Sequence, residues 1–180
     1  SAASDVYKRQ DYYYVNKSSL PKVYGGFNTS LSWKGFDLSA IFAYSIGGYI
    51  YNRDITMILH NGSLEGRDWS TEILKRWTPD NRYTDVPALS TTSNNWNSAS
   101  TRFLQNNSYM RLKNLTLSYN LPKQWISKLS LSSVQVYVQG DNLFTIHRNQ
   151  GLDPEQGITG ITYYRYPAMR TISGGINVSF

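Results

Sequence analysis

Along much of the chain, apolar and polar side chains alternate one by one, the period of strands with two unlike faces. Phe27, Leu31 and Trp33 share a face with Thr29, opposite Asn28, Ser30 and Ser32. After Lys34-Gly35, a connection of the hairpin type, Phe36, Leu38, Ala40, Phe42, Tyr44 and Ile46 line one face. The other face carries Asp37, Ser39, Ala43 and Ser45, with Ile41 out of step. A third strand is predicted around Tyr109 to Leu121, where Leu115, Leu117, Tyr119 and Leu121 alternate with Asn114, Thr116, Ser118 and Asn120. In a fourth, Val134, Val136 and Val138 alternate with Gln135, Tyr137 and Gln139. In a fifth, Ile172, Ile176, Val178 and Phe180 alternate with Thr171, Ser173, Asn177 and Ser179.

The links between these strands alternate in length. Lys34-Gly35 is short, 52–107 long, 122–132 short and 147–169 long. In an antiparallel meander, all short links then fall on one rim and all long ones on the other. Outer-membrane barrels sort their connections this way, with short periplasmic turns and long extracellular loops. The alternate face of Ser, Thr, Asn and Gln suits a wet or plugged lumen. Trp33, Phe36, Tyr119 and Phe180 fall near the short-turn rim, where an interfacial girdle belongs, although the same rings would serve an ordinary sheet core. The competing architecture is a soluble, secreted β-sandwich that binds carbohydrate. Within the first long link, Asp68–Trp77 predicts a short helix capped by Asp68 or Ser70 and ended at Thr78-Pro79. Its Ile73 and Leu74 are spaced to pack on Trp77. The polar run Ser90–Ser100 reads as a loop tip.

Composition narrows the choice. With no cysteine among 180 residues, a disulfide scaffold, a zinc ribbon and a thiol nucleophile are excluded. No apolar run approaches the ~18 residues of a membrane helix, which leaves a strand-built membrane span open. Ser1 to Gln10 (SAASDVYKRQ) resembles the translation of a transposase-type sequencing adapter. It is set aside as non-native, so that 11–180 is the protein and its upstream part, with any signal peptide, is expected to be missing. The formal charge is +6, but the basic residues are scattered. Arg53, Arg67, Lys75, Arg76 and Arg82 lie in one long link and Lys123 and Lys128 in a short one. No stripe suits a nucleic-acid backbone. Loop-borne positive charge would instead meet solvent, anionic outer-leaflet lipid or a partner protein.

Several stretches in order resemble a known family. They are Tyr24-Gly25-Gly26-Phe27-Asn28, Trp33-Lys34-Gly35-Phe36-Asp37-Leu38, Trp77-Thr78-Pro79-Asp80-Asn81 with Val86-Pro87, and Ser108 to Leu117 with Tyr119-Asn120-Leu121-Pro122. Gly140-Asp141-Asn142-Leu143-Phe144, Gly151-Leu152-Asp153-Pro154-Glu155, Tyr166-Pro167 and Gly174 to Phe180 complete the set. Together they resemble the C-terminal part of SusC/RagA-type TonB-dependent outer-membrane transporters. The resemblance implies an all-β, antiparallel, up-and-down transmembrane barrel of about 22 strands closed by a plug. Here only the last five or so strands are expected, with long extracellular loops. It further implies a multi-pass protein of a Gram-negative outer membrane that imports oligosaccharides or peptides. A SusD-like surface lipoprotein would act as lid, and TonB would act through the absent plug-bearing part.

Candidate chemistry is sparse. His60 and His147, the only histidines, stand in separate loops without a nucleophile–base or metal constellation, and are expected at the surface. Asp141, Asp153 and Glu155 lack the regular spacing of a calcium loop, and Asp153-Pro154-Glu155 reads as a loop-shaping turn. The Gly pairs at 25–26, 47–48 and 174–175 match no phosphate-binding pattern and suit sheet curvature or bulges. Acceptor-like triplets begin at Asn16, Asn61, Asn114 and Asn177, two of them inside predicted strands, so they are read as chance. No catalytic residue, cofactor or metal is therefore expected, and an enzyme is not. Substrate contacts, if this part of the chain makes them, fall to the loop aromatics Trp69, Trp77, Trp96, Tyr163 and Tyr164, which could stack on sugar faces. Ile172, Ile176, Val178 and the terminal Phe180 share a face and are read as a C-terminal barrel-assembly signal.

Overall fold

A computed structural model of the chain describes residues 13–60, 66–90, 98–129, 131–155, 157–162 and 165–180. Ser1 to Gln10 lie outside the described residues, so the adapter reading is not addressed there. In chain order the elements are β1 (Val23–Trp33), β2 (Phe36–Ile46), β3 (Tyr49–Asn52), α1 (Arg53–Ile58), β4 (Leu104–Asn106), β5 (Tyr109–Asn120), α2 (Lys123–Ile126), β6 (Ser133–His147), β7 (Ile161–Thr162) and β8 (Thr171–Ser179). They fall into two compact units. One comprises Leu20–Gly48, Asn106–Gln156 and Tyr166–Phe180; the other includes Tyr49–Gln105 and Gly157–Arg165.

The first unit is an antiparallel wall of five strands in the order β1-β2-β5-β6-β8. Its register explains the alternation in the sequence. Trp33, Phe36, Tyr119, Val136 and Ile176 form one cross-strand row, and Leu31, Leu38, Leu117, Val138 and Gly174 the next. On the opposite face, Ser30, Ser39, Thr116, Gln139 and Ser173 align, as do Asn28, Ile41, Asn114, Asp141 and Thr171. One face is thus apolar from edge to edge, the other polar. The apolar face has no second sheet over it: Leu31 is 66% and Ile176 65% exposed. A sandwich would bury that face, so the sandwich architecture does not describe this wall. The five strands do not close into a barrel.

Both ends of the wall are locally determined. At the short-turn rim, Lys34 (φ 46°) and Gly35 (φ 89°) both adopt positive φ, the requirement of the tight turn whose twist matches paired strands. The second short link contains α2 and a further 3₁₀ turn, neither of which the alternation predicts. At the other end, the ladder between β5 and its neighbours is interrupted. Leu112 and Asn114 pair on either side of an unpaired Lys113, and β6 skips from Asp141 to Phe144. Asn142 there has φ 52°, and Leu143 folds back over Gly140, where a Cβ would lie 2.7 Å from its side chain. A larger residue at 140 would have to displace that leucine.

The second unit was not legible from alternation. β3 lies between β4 and β7 in a small sheet, and pairs with β7 in parallel. Asn52 caps α1, its Oδ1 accepting the Ile55 N–H at 3.0 Å. The helix expected over Asp68–Trp77 is a single 3₁₀ segment, Thr71–Lys75, with Ser70 rather than Asp68 as its cap. Its growth is stopped by side chains that take its last carbonyls. Asn81 Nδ2 donates to the Lys75 and Arg76 oxygens, and Thr84 Oγ1 donates to that of Lys75. Of the two residues spaced to pack on Trp77, Leu74 is exposed, whereas Ile73 is buried with Val86.

The turn supplies a test. A Cβ at Gly35 would stand 3.1 Å from the Asn120 carbonyl and 3.2 Å from the Tyr119 ring, in a backbone state that side chains resist. Gly35→Val is expected to destabilise the folded full-length protein by about 1–3 kcal/mol, read as a lower urea midpoint in detergent. Lys34→Gly, which relaxes the neighbouring positive φ, should not lower it.

Candidate functional site

The most highly organised polar cluster lies where the long link after β6 folds onto the polar face of the wall. Its centre is Arg111. Through the offset at Lys113, Arg111 is paired in register with Ala43 and Thr145 on that face. Its side chain is only 3% exposed. Every arm of the guanidinium is used: Nε donates to Thr145 Oγ1 at 2.9 Å, Nη1 to Glu155 Oε2 at 2.8 Å and Nη2 to Asp153 Oδ1 at 2.6 Å. Lys113 Nζ adds 2.6 Å bonds to both Glu155 oxygens. The unpaired bulge residue thereby contributes to the same cluster.

Asp153 is the second anchor. Its Oδ1 also accepts the Glu155 N–H at 2.8 Å, and its Oδ2 the Ala168 N–H at 2.6 Å. Asp153 thus joins the beginning and end of the loop, and Arg111 fixes both to the wall. Burial alone would raise the Asp153 pKa. The N–H groups of Ala168 and Glu155 and the Arg111 guanidinium more than offset it, and the carboxyl titrates below its ordinary value. Further bonds hold the loop: Asn107 Nδ2 donates to the Pro154 carbonyl at 2.8 Å, Asn149 Nδ2 to Asn107 Oδ1 at 2.9 Å, and Asn142 Nδ2 to the Met169 carbonyl at 3.1 Å. The turn read from Asp153-Pro154-Glu155 therefore shapes a loop by serving as an ionic clamp.

Asp141 belongs to a separate network, accepting from Asn114 Nδ2 at 2.7 Å and Gln139 Nε2 at 3.3 Å. No group of three or more potential metal ligands occurs among the described residues. Asn114 and Asn177 are strand residues engaged with Asp141 and Gln135. His147 is exposed, with Nδ1 2.9 Å from the Asn149 carbonyl oxygen. His60 is a correction: it is fully buried, not at the surface, and its ring meets that of Trp69 edge-on, 5.4 Å between centres. Nothing in this arrangement pairs a nucleophile with a base. What it can do is hold a loop and present a polar, hydrogen-bonding wall.

Of the expected substrate contacts, Trp69 and Trp77 lie among the described residues. Trp69 and Trp77 are both partly exposed in the second unit, 43% and 42%. Trp69 lies against His60, and the Trp77 N–H donates to the Val86 carbonyl at 2.8 Å. Trp96, Tyr163 and Tyr164 lie outside the described residues. Ile172, Ile176, Val178 and Phe180 are all exposed, and Ile172, Ile176 and Val178 align with the apolar positions Gly140, Val136 and Val134 of β6. The Arg111 clamp was missed as a unit. Arg111, an arginine amid alternating strand positions, was the available signal, but its partners lie 42 and 44 residues away.

No family model matches the chain. It is 34% identical over 166 residues to TonB-dependent receptor P3 of Formosa agariphila, a match covering 86% of this chain and 16% of that protein. It is 27% identical over 168 residues to TonB-dependent receptor SusC of Bacteroides thetaiotaomicron, covering 93% of this chain and 16% of that one. Among solved structures it is similar to the RagAB peptide transporter, with a TM-score of 0.82 and 35% identity over 92% of this chain and 18% of that one. The chain spans about a sixth of the length of these curated relatives. Each of them bears a receptor's or transporter's name, and none an enzyme's.

The clamp generates a prediction with a defined sign. In the full-length protein, Arg111→Met should accelerate hydrogen exchange at the Ala168 and Glu155 amides by at least about tenfold, because removing one member of a buried ion pair costs about 3–5 kcal/mol. Arg111→Lys should restore part of the protection. Since the folded pKa of Asp153 is depressed, its stabilisation is complete above the unfolded value near 4 and is lost as pH falls through the lower folded value. Protection, corrected for intrinsic exchange, should be flat from pH 7 to about 5 and decline below about 4.

Proposed function

Because the chain belongs to the SusC/RagA family of TonB-dependent receptors, we propose that it forms part of the barrel wall of an outer-membrane importer of oligosaccharides or peptides. A SusD-like surface lipoprotein would cover the long loops, and TonB would drive transport through parts of the protein outside this chain. Residues 11–180 are assigned to the barrel and 1–10 to adapter translation. The observation that carries the reading is the two-faced wall. Its apolar face, uncovered from β1 to β8, suits acyl chains; its polar face suits a solvated lumen. The sorting of short and long connections to opposite ends agrees. The likeness to the RagAB peptide transporter supports the peptide arm of the substrate class.

The loop aromatics Trp69, Trp77, Trp96, Tyr163 and Tyr164 are proposed to contact substrate by stacking. The clamp at Arg111 supports a role for Tyr163 and Tyr164, because it fixes Asp153 and Ala168, between which they lie in the chain. Ile172, Ile176, Val178 and Phe180 are proposed as an assembly signal, supported by their exposure, the first three on one face of β8.

Expressed in a Gram-negative host, the full-length protein is expected in the outer-membrane fraction, migrating faster unboiled than boiled on a denaturing gel. Its absence from that fraction would overturn the proposal. Phe180→Ala should reduce the fast-migrating species severalfold at unchanged synthesis, and an unchanged yield would remove the assembly role.

A further inference from the structure

The rim that carries the short connections has a chemistry the transport reading leaves unused. The Lys34 ammonium lies 4.9 Å from the centre of the Trp33 ring, and Trp33 is 64% exposed at the end of the apolar row. The Asn120 N–H donates to the Gly35 carbonyl at 2.8 Å, so the second short connection starts beside this hairpin tip. That connection carries Lys123, Trp125 and Lys128, all exposed. No Asp or Glu occurs between Leu117 and Gly140. Asp37, just past the turn, is engaged by Ser32 Oγ and Asn120 Nδ2. Lys34, Lys123 and Lys128 are absent from the ion pairs among the described residues. Among the described residues, two exposed indoles thus stand with three exposed ammonium groups against one carboxylate at this rim, that of Asp37.

We propose that this rim binds the headgroup phosphates of anionic glycerophospholipids in the leaflet that the short turns reach. The proposal rests on the barrel reading above, which places the apolar face in lipid. Three observations select a lipid as the occupant. Trp33 is continuous with the row Phe36, Tyr119, Val136 and Ile176, so the bilayer that covers this row ends at Trp33. An indole at that level sits between acyl chains and headgroups, which puts the adjoining ammonium groups at phosphate depth. Finally, among the described residues the three ammonium groups outnumber the one carboxylate at this rim, Asp37, and each lysine near an anionic surface adds to the attraction.

The test uses the full-length transporter in detergent, with lipid adducts counted by native mass spectrometry during titration with dioleoyl phosphatidylglycerol or dioleoyl phosphatidylcholine. The wild type should take up phosphatidylglycerol at a concentration at least about fivefold lower than phosphatidylcholine. The triple variant Lys34→Gln, Lys123→Gln, Lys128→Gln should lose that preference, whereas Lys75→Gln, in the first long link, should keep it. Absence of preference in the wild type, an equal preference in the triple variant, or an equal loss with Lys75→Gln would overturn the proposal. Displacement of the lipid by millimolar inorganic phosphate would also overturn it, because the site would then recognise a free anion. So would a protein co-purifying through the three lysines without any lipid preference. Gel migration of the unboiled protein separates the two levels. An unshifted band fails the barrel reading, and a shifted band without lipid preference fails this proposal alone.

Discussion

The separation of an apolar from a polar face rests on strand register, and in this wall register turns on the extra residue at Lys113. Below it, Leu115, Leu117 and Tyr119 continue apolar rows set by β2 and β6; above it, Met110 and Leu112 do the same. These two sets differ in parity. Were Lys113 to pair in regular register instead of bulging, Arg111 would face the side of Leu115 and Leu117, since a one-residue slip exchanges every side chain between faces. A guanidinium on an apolar face in contact with acyl chains would be strongly unfavourable. The bulge puts Arg111 and Asn114 on the same polar side and leaves Lys113 free of the ladder to reach Glu155. β6 answers with two extra residues, Asn142 and Leu143, so its own parity is kept.

The clamp that depends on this offset is an expensive way to hold a loop. Desolvating Arg111 and Asp153 offsets much of their mutual attraction, and an apolar contact of equal volume would be comparably stabilising. Ionic geometry supplies direction. A guanidinium with its Nε on Thr145, one arm on Asp153 and another on Glu155 accepts one loop position only. Asp153 then ties Ala168 to the same point, so both arms of the link between β6 and β8 are set by one side chain of β5. An apolar plug could slide on the wall; this contact cannot without leaving a buried charge unpaired.

How much of this was legible follows from the distance over which each feature is determined. Alternation located five strands because every residue reports its own face, and the Lys34-Gly35 turn announces itself by glycine in a positive-φ position. β1 begins four residues earlier than the alternation starts, because Gly25 and Gly26 carry no side chain to mark a face. The small sheet of the second unit was invisible: β7 has two residues and pairs in parallel with a strand about 110 positions away. The Asp68–Trp77 segment misled because helix signals in its first turn were real. Asn81 and Thr84, outside the window, decided where it stopped. The clamp combined both difficulties, as Arg111 reads as an interruption of a strand until Asp153 and Glu155 are brought beside it.

The uneven placement of charge gives the wall its polarity. At the long-loop end, Arg111 and Lys113 are matched by Asp153 and Glu155, so the loop is held by pairs that need nothing from outside. At the short-turn end, Lys34, Lys123 and Lys128 form no ion pair among the described residues and outnumber Asp37, and the apolar face between the two ends is uncovered. Open β1 and β8 edges and an exposed row from Trp33 to Ile176 would drive association in water. Covering that face removes apolar area from water at about 25 cal/mol per Å², a gain the wall cannot obtain from its own residues. On the barrel reading, neighbouring strands at both edges and lipid against its face supply that cover. On that reading the chain is one sector of such a structure, with its loop anchored on the polar side and its three lysines at the opposite rim.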